Sequence, residues 1–322
     1  MENAGKVGLF GAAGAIGQSI ATALGAAGRD YRVIGRSRGS LEAAFGQDPH
    51  AEIATWDPDE PASIAAAAQG LQTAIYLVGV PYHQFEMHPP LMEKTLVGLS
   101  AAGVQRLILI GTVYPYGRAR SQPVTEDHPR EPHTFKGQMR LAQENLVLEA
   151  HGRHGLSTLV LRLPDFYGPG VERSFLNGVF ESAVRGTRAQ MIGPIDVPHE
   201  FVFVPDVGPV VETLTRTPEA YGRWWHLAGA GTITQREVAA KAYALAGREP
   251  KLMVVGKPML RVLGLFNPLL REMVEMSYLM SEPVVLDDSA LQALIGPIKK
   301  TSYDEGIRLA FAAAQDTLKV AA

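Results

Sequence analysis

Lys6-Val-Gly-Leu-Phe-Gly11-Ala-Ala-Gly14-Ala-Ile-Gly17 decides the fold of this 322-residue chain. Val7 to Phe10 reads as a short buried strand and runs straight into a turn with glycine at every third position. The stretch from Ile16 to Leu24 has the Ala-rich pattern of a helix. Strand, glycine turn and helix in that order make an anion cradle. Gly11 suits the tight turn, Gly14 lets backbone approach a pyrophosphate, and Gly17 lets helix and strand pack closely. The intervening Ala13, Ala15 and Ile16 bring the amide N–H groups and partial positive charge of the helix start to the phosphates.

The next strand, Tyr31-Arg-Val-Ile-Gly-Arg36, ends nineteen residues past Gly17. A site selective for NAD places a carboxylate there, on the ribose 2′-hydroxyl. This chain has Arg36, with Ser37 and Arg38 beside it. A guanidinium pairs with a 2′-phosphate through two charge-assisted hydrogen bonds, whereas a carboxylate repels it. The expected cofactor is NADP(H) in preference to NAD(H).

Hydrophobic residues make up 46% of the chain and charged ones 20%, as in ordinary globular proteins. A net charge of −3 offers no basic surface for nucleic acid or an anionic membrane. With no cysteine, disulfides, thiolate nucleophiles and Cys-ligated zinc are excluded. Met1 to Gly5 lacks the basic and apolar regions of a signal peptide, and no apolar run reaches membrane-spanning length. The expected location is the cytoplasm.

Strand and helix patterns alternate through the first half. Ala51 to Asp57 reads as a third short strand ending in Asp57, Ser63 to Gln69 as a helix, and Thr73 to Gly79 as a fourth strand. Helix Leu91–Ala102, strand Arg106–Thr112, helix Met139–Ala150 and strand Ser157–Leu163 follow. Near-continuous apolar strands separated by helices predict an α/β fold of the Rossmann type, a doubly wound parallel sheet covered on both faces. The pattern changes after Gly170. Phe175–Arg185 reads as helix, Glu200–Val204 as a returning strand, Trp224–Ala228 as a late strand, and Thr234 with Glu237 as a capping box. The expected division is a cofactor-binding domain of residues 1–170 and 200–230, with a smaller C-terminal substrate lobe of residues 171–199 and 231–322. Met273, Met276 and Met280 share a helix face by spacing, either as core or as an apolar wall over a substrate or at a subunit contact.

These segments together resemble the extended short-chain dehydrogenase/reductase family, the NAD(P)-dependent epimerase/dehydratase group, over nearly the whole chain. Gly11-x-x-Gly14-x-x-Gly17, Thr112-Val-Tyr114-Pro-Tyr116-Gly117, Arg162-Leu-Pro-Asp165-Phe-Tyr167-Gly-Pro169 and Phe201-Val-Phe-Val-Pro-Asp206 carry the likeness. The resemblance implies Asp57 on the adenine ring, Gly79 along the cofactor, and Thr112 on the substrate carbonyl.

The catalytic pair departs from the family. Its Tyr-x-x-x-Lys begins a helix, with Glu four residues past the Lys. Registered on Glu144, the tyrosine position here holds Lys136 and the lysine position Arg140. The resemblance therefore implies Arg140 on the nicotinamide ribose and Lys136 as an acid or electrostatic clamp. Two cations four residues apart on one helix face should favour proton loss from Lys136. Tyr114 and Tyr167 are alternative catalytic hydroxyls, or rings packed with their hydroxyls on backbone or water. Tyr116, Asp165 and His199 are candidate substrate contacts. His199-Glu200 stands where nucleotide-sugar members often carry an Arg for the substrate pyrophosphate, which disfavours that substrate. The nine histidines show no metal-binding spacing and no hydrolase elbow is present, so no metal is expected.

The leading expectation is an NADP(H)-dependent oxidoreductase acting on a small or apolar carbonyl or alcohol. An epimerase or dehydratase that recycles its nicotinamide, and a non-catalytic NADP-binding sensor, stay open. The partner expected is a small molecule, with a homodimer as the open option for assembly.

Overall fold

The structure, a computed structural model, describes residues 5–172 and 174–320; Met1 to Ala4, within the stretch read for a leader, lie outside them. The first half builds β1 (Val7–Phe10), α1 (Ala15–Ala26), β2 (Tyr31–Gly35), α2 (Arg38–Phe45), β3 (Ala51–Thr55), α3 (Pro61–Ala68) and β4 (Thr73–Tyr76). Then come α4 (His88–Ala101), β5 (Arg106–Thr112), α5 (Phe135–Glu149), β6 (Ser157–Leu163) and β7 (Asp165–Tyr167). The second half adds α6 (Asn177–Arg185), β8 (Ala189–Ile192), β9 (Pro198–Phe203), α7 (Val204–Leu214), β10 (Trp224–His226), β11 (Thr232–Thr234), α8 (Gln235–Leu245) and β12 (Leu252–Val255). Four helices close the chain: α9 (Lys257–Gly264), α10 (Pro268–Met276), α11 (Ser289–Ile295) and α12 (Tyr303–Val320).

Seven strands form one sheet in the order β10-β6-β5-β4-β1-β2-β3, and every pairing is parallel. Strand order reverses between β1 and β4, so the crevice for a ligand opens beyond the C-terminal ends of these strands. Apolar side chains on both faces are buried, including Leu9, Val33 and Leu161 on one side and Phe10, Ile34 and Leu109 on the other.

The returning strand, expected in the cofactor-binding domain, runs between the two parts. Phe201–Phe203 lies in a three-stranded sheet, order β11-β9-β7, with Val202 in the core of the main sheet and Phe201 and Phe203 in the core of the lobe. Gly208 of α7 packs so closely on α1 that a Cβ there would come 2.2 Å from the Ser19 carbonyl oxygen. The lobe built from α6, α8, α12 and the small sheet has its own core around Phe180, Phe201, Tyr243 and Phe311. Thr234 and Glu237 form the capping box that starts α8. Met276 and Met280 are buried with Phe85, Val113 and Tyr114 in a cluster that joins the two parts. Among the described residues no helix is long and apolar enough to cross a membrane.

Candidate active site

The glycine turn has the three-way division of labour that its sequence requires. Gly11 has φ +85°, a left-handed value that costs glycine little. A Cβ on Gly17 would stand 2.2 Å from the Ala12 carbonyl oxygen, whereas one on Gly14 would meet nothing within 4 Å. Gly14 is also the N-cap of α1 and caps it with no side chain, which leaves the first-turn N–H groups without a side-chain acceptor. The open face at Gly14 and the bare helix start fit the pyrophosphate of a dinucleotide.

At the end of β2, Arg36 is exposed and has no ion-pair partner among the described residues, while Arg38 stands 3.7 Å from Glu42. Ser37 Oγ accepts from Ser40 N at the start of α2. Asp57 is exposed beyond β3, with Oδ1 accepting from Asp59 N. Gly79 is exposed beyond β4, with open space where a Cβ would go.

The chemistry-bearing groups gather where β4 and β5 end. Thr112 closes β5 and its Oγ1 accepts from Tyr114 N at 3.3 Å. The Tyr114 hydroxyl lies 2.8 Å from that of Tyr82, which the segment after β4 supplies. Phe85, one turn on, packs on both tyrosine rings, with the Arg140 guanidinium 6.0 Å from its centroid. Arg140 Nη1 donates to Gln143 Oε1 at 2.7 Å, and its buried Nε has no hydrogen-bond partner among the described residues. Burial pulls the Arg140 pKa below its usual value, partly offset by Tyr114 and Glu144. Asp165 approaches from β7; desolvation pushes its carboxyl up to about 6.

Lys136 is the main correction. The sequence predicted a cation crowded by a second cation, but the structure surrounds it with carboxylates. Lys136 is 1% exposed, and its Nζ donates to Glu272 and Glu275 of α10 at 2.7 Å each. Its backbone N–H donates to the second oxygen of Glu275. The two cations do share a face, 5.8 and 6.0 Å from the Phe85 ring centroid, but their partners differ. Lys136 clamps α5 to α10, and Arg140 lies toward Tyr114 and the end of β4.

Three further candidates are structural in placement. Tyr116 is fully buried and its hydroxyl donates to His226 Nε2, because His226 Nδ1 is taken by the Asp287 carbonyl. Tyr167 is buried in the small lobe against Phe201, Phe203 and Tyr303. His199 is buried with both ring nitrogens on main-chain oxygens, of Val197 at 2.9 Å and Leu279 at 2.8 Å. It flanks a small cavity, lined also by Val113, Asp165, Glu200, Leu279 and Val284, without presenting a nitrogen to it.

Glu144 fixes the register of α5. It accepts from Arg162 Nε and Nη2 of β6, in a pair whose side chains are 2% and 0% exposed. The Arg162 guanidinium lies 4.5 Å over the Tyr116 ring.

Comparison with known proteins agrees with this architecture. The model of the NAD dependent epimerase/dehydratase family matches residues 7–223, and the chain belongs to that family of nicotinamide-dependent enzymes. A dTDP-6-deoxy-L-talose 4-dehydrogenase (NAD(P)(+)) of Kitasatospora kifunensis is 26% identical over 194 residues, 57% of this chain; the match spans only 59% of that enzyme. The UDP-glucuronic acid 4-epimerase of Bacillus cereus, solved with NAD, superposes with TM-score 0.80 at 14% identity, covering 97% of this chain and 99% of the other. The dTDP-glucose 4,6-dehydratase of Streptomyces venezuelae, also with NAD, gives 0.82 at 16% identity, covering 98% of each. These two likenesses show the fold.

Proposed function

We propose that the protein is an NADP(H)-dependent oxidoreductase that reduces a carbonyl, or oxidises the matching alcohol, of a small and weakly charged compound. The observation that carries this is the convergence of Thr112, Tyr114, Arg140 and Asp165 beyond the strand ends that face the open Gly14 turn. Gly11, Gly14 and Gly17, with the amides of Ala13, Ala15 and Ile16, would hold the cofactor's pyrophosphate. Arg36, Ser37 and Arg38 would hold its 2′-phosphate, Asp57 and Gly79 the adenosine side, and Arg140 the nicotinamide ribose. When bound, the nicotinamide supplies or accepts a hydride at C4. Thr112 and Tyr114 donate hydrogen bonds to the substrate oxygen as charge develops on it. The apolar cluster of Phe85, Val113, Met276 and Leu279 excludes water from that oxygen.

The residues at the start of β9 support that substrate class. His199 and Glu200 stand where nucleotide-sugar members often carry an Arg for the substrate pyrophosphate, and neither offers a cation to a diphosphate: both His199 nitrogens lie on main-chain oxygens, and Glu200 accepts from Gly229 N and Leu286 N. The sugar-nucleotide enzymes among the similar proteins support a second reading, an epimerase or dehydratase on a nucleotide sugar. Turnover of NADPH with aliphatic and aromatic ketones, aldehydes, and dTDP- and UDP-sugars separates the two. Consumption with ketones or aldehydes alone supports the first reading. Conversion of a nucleotide sugar without net NADPH change favours the second. Tight NADPH binding with no turnover at all favours a sensor.

A further inference from the structure

With Lys136 held by two carboxylates, the site needs another source for the proton that accompanies hydride transfer. Tyr82 and Tyr114 stand hydroxyl to hydroxyl at 2.8 Å, and the arrangement is built rather than incidental. Phe85 packs 5.2 Å from the Tyr82 ring and stacks 6.4 Å from the Tyr114 ring, fixing both. Lys136 Nζ lies 5.7 Å from the Tyr82 ring centroid, so a positive charge faces that ring. Burial pushes both hydroxyls above the ordinary tyrosine pKa, Tyr114 well above it, and from α5 the charge of Arg140 offsets part of that rise. Asp165 opposes ionisation of both, and Glu275 of α10 opposes that of Tyr82. The two rings are not equivalent. Tyr114 is buried and joined to Thr112 Oγ1 through its own N–H, while Tyr82 is partly exposed.

We propose that the Tyr82–Tyr114 pair exchanges the proton at the substrate oxygen, with Tyr114 as the immediate donor and Tyr82 as its relay to solvent. This rests on the oxidoreductase reading. In reduction, the carbonyl carbon gains a hydride and the C=O π pair moves to oxygen, which takes the Tyr114 proton. Tyr114 then takes the Tyr82 proton, and Tyr82 takes one from water. The sum is carbonyl plus hydride plus one proton giving alcohol, the hydride being what the nicotinamide supplies. Arg140 stabilises the phenolate that exists between the two transfers.

The test compares wild-type protein with Tyr114→Phe, Tyr82→Phe and Lys136→Met by three measurements. These are NADPH affinity by fluorescence, kcat for ketone reduction across pH, and tyrosinate absorbance near 295 nm with and without saturating NADP+. Tyr114→Phe should lower kcat by roughly 10²–10⁴-fold, the range for losing a general acid, while NADPH affinity stays within about twofold. Tyr82→Phe should lower it less and move the alkaline limb of the pH profile. A positive nicotinamide beside a phenolate favours the anion, so NADP+ should lower the pH at which one wild-type tyrosine ionises by about one unit. That response should vanish in both tyrosine variants and survive in Lys136→Met. Undiminished kcat in both tyrosine variants, or a NADP+-linked ionisation that persists in them, overturns the proposal. If wild-type protein binds no NADP(H), the underlying oxidoreductase reading fails and takes the proposal with it. If it binds NADPH but reduces no carbonyl, only the reading fails on turnover, and the absorbance titration still decides for or against the pair.

Discussion

Replacing Lys136 by Met tests whether this side chain is a clamp between the two parts of the molecule. Met keeps most of the apolar stem and deletes the ammonium. The variant loses two ion pairs of 2.7 Å and leaves Glu275 without its counter-charge, while Glu272 keeps Arg271 at 3.6 Å. Removing one partner of a fully buried pair costs about 3–5 kcal/mol, and an exposed pair is worth about 0.2–1 kcal/mol. Lys136 is buried, but the two glutamates are 24% and 25% exposed, which lets water relieve part of their repulsion. The Lys136 N–H to Glu275 bond also survives. A loss of about 2 kcal/mol at neutral pH follows, intermediate between those limits. Urea denaturation followed by tryptophan fluorescence reads it as a lower midpoint at unchanged slope. The sign of the pH dependence is fixed too. Hydrogen bonding to Lys136 depresses the Glu272 pKa, so its contribution is present above the ordinary carboxylate value and lost as pH falls through the depressed one. The gap between wild type and variant should therefore close on acidification. Loss of turnover by orders of magnitude at wild-type stability would refute the clamp and restore Lys136 as the acid.

Other expectations follow from named contacts. Glu144→Gln should cost about 3 kcal/mol or more, because it leaves Arg162 buried without its carboxylate; equilibrium unfolding measures this. Gly14→Val should unfold like wild type yet lose NADPH binding, since its side chain enters open space where phosphate is expected. Gly17→Ala should instead lower the melting temperature, its Cβ pressing on the Ala12 carbonyl. Burial raises Asp165 to about 6 and Glu200 to about 7, so the folded state holds more protons than the unfolded one between the ordinary carboxylate range and neutrality. Stability should fall as pH rises through that window, and Asp165→Asn should flatten the fall in denaturation curves.

The main sheet was legible because its signals are local. The glycine turn, the apolar runs of β1, β4, β5 and β6, and the Thr234–Glu237 box each specify structure within a dozen residues. What sequence missed depends on distant partners. Phe201-Val-Phe203 is apolar enough for either sheet, and its neighbours Asp165–Tyr167 and Thr232–Thr234 lie about thirty residues away on each side. Tyr114 and Tyr116 are indistinguishable by type and spacing. His226, over a hundred residues on, claims one, and Tyr82 claims the other. Lys136 looked free because Glu272 and Glu275 approach from the far end of the chain. Tyr82 carried one available signal. Pro81-Tyr82 follows β4, a strand that borders the reversal of sheet order, so the segment after it must pass over the site.

Paired fluorescence titrations of the wild-type protein with NADPH and NADH test the central claim most directly. Both should bind saturably, with NADPH at least about tenfold tighter, because Arg36 is an exposed cation at the end of β2 with no ion-pair partner among the described residues, and charge-assisted pairing to a phosphate is worth about 1.5–3 kcal/mol. Arg36→Asp should abolish or invert the ratio. Equal affinities in the wild type, or a preference for NADH, would contradict the account.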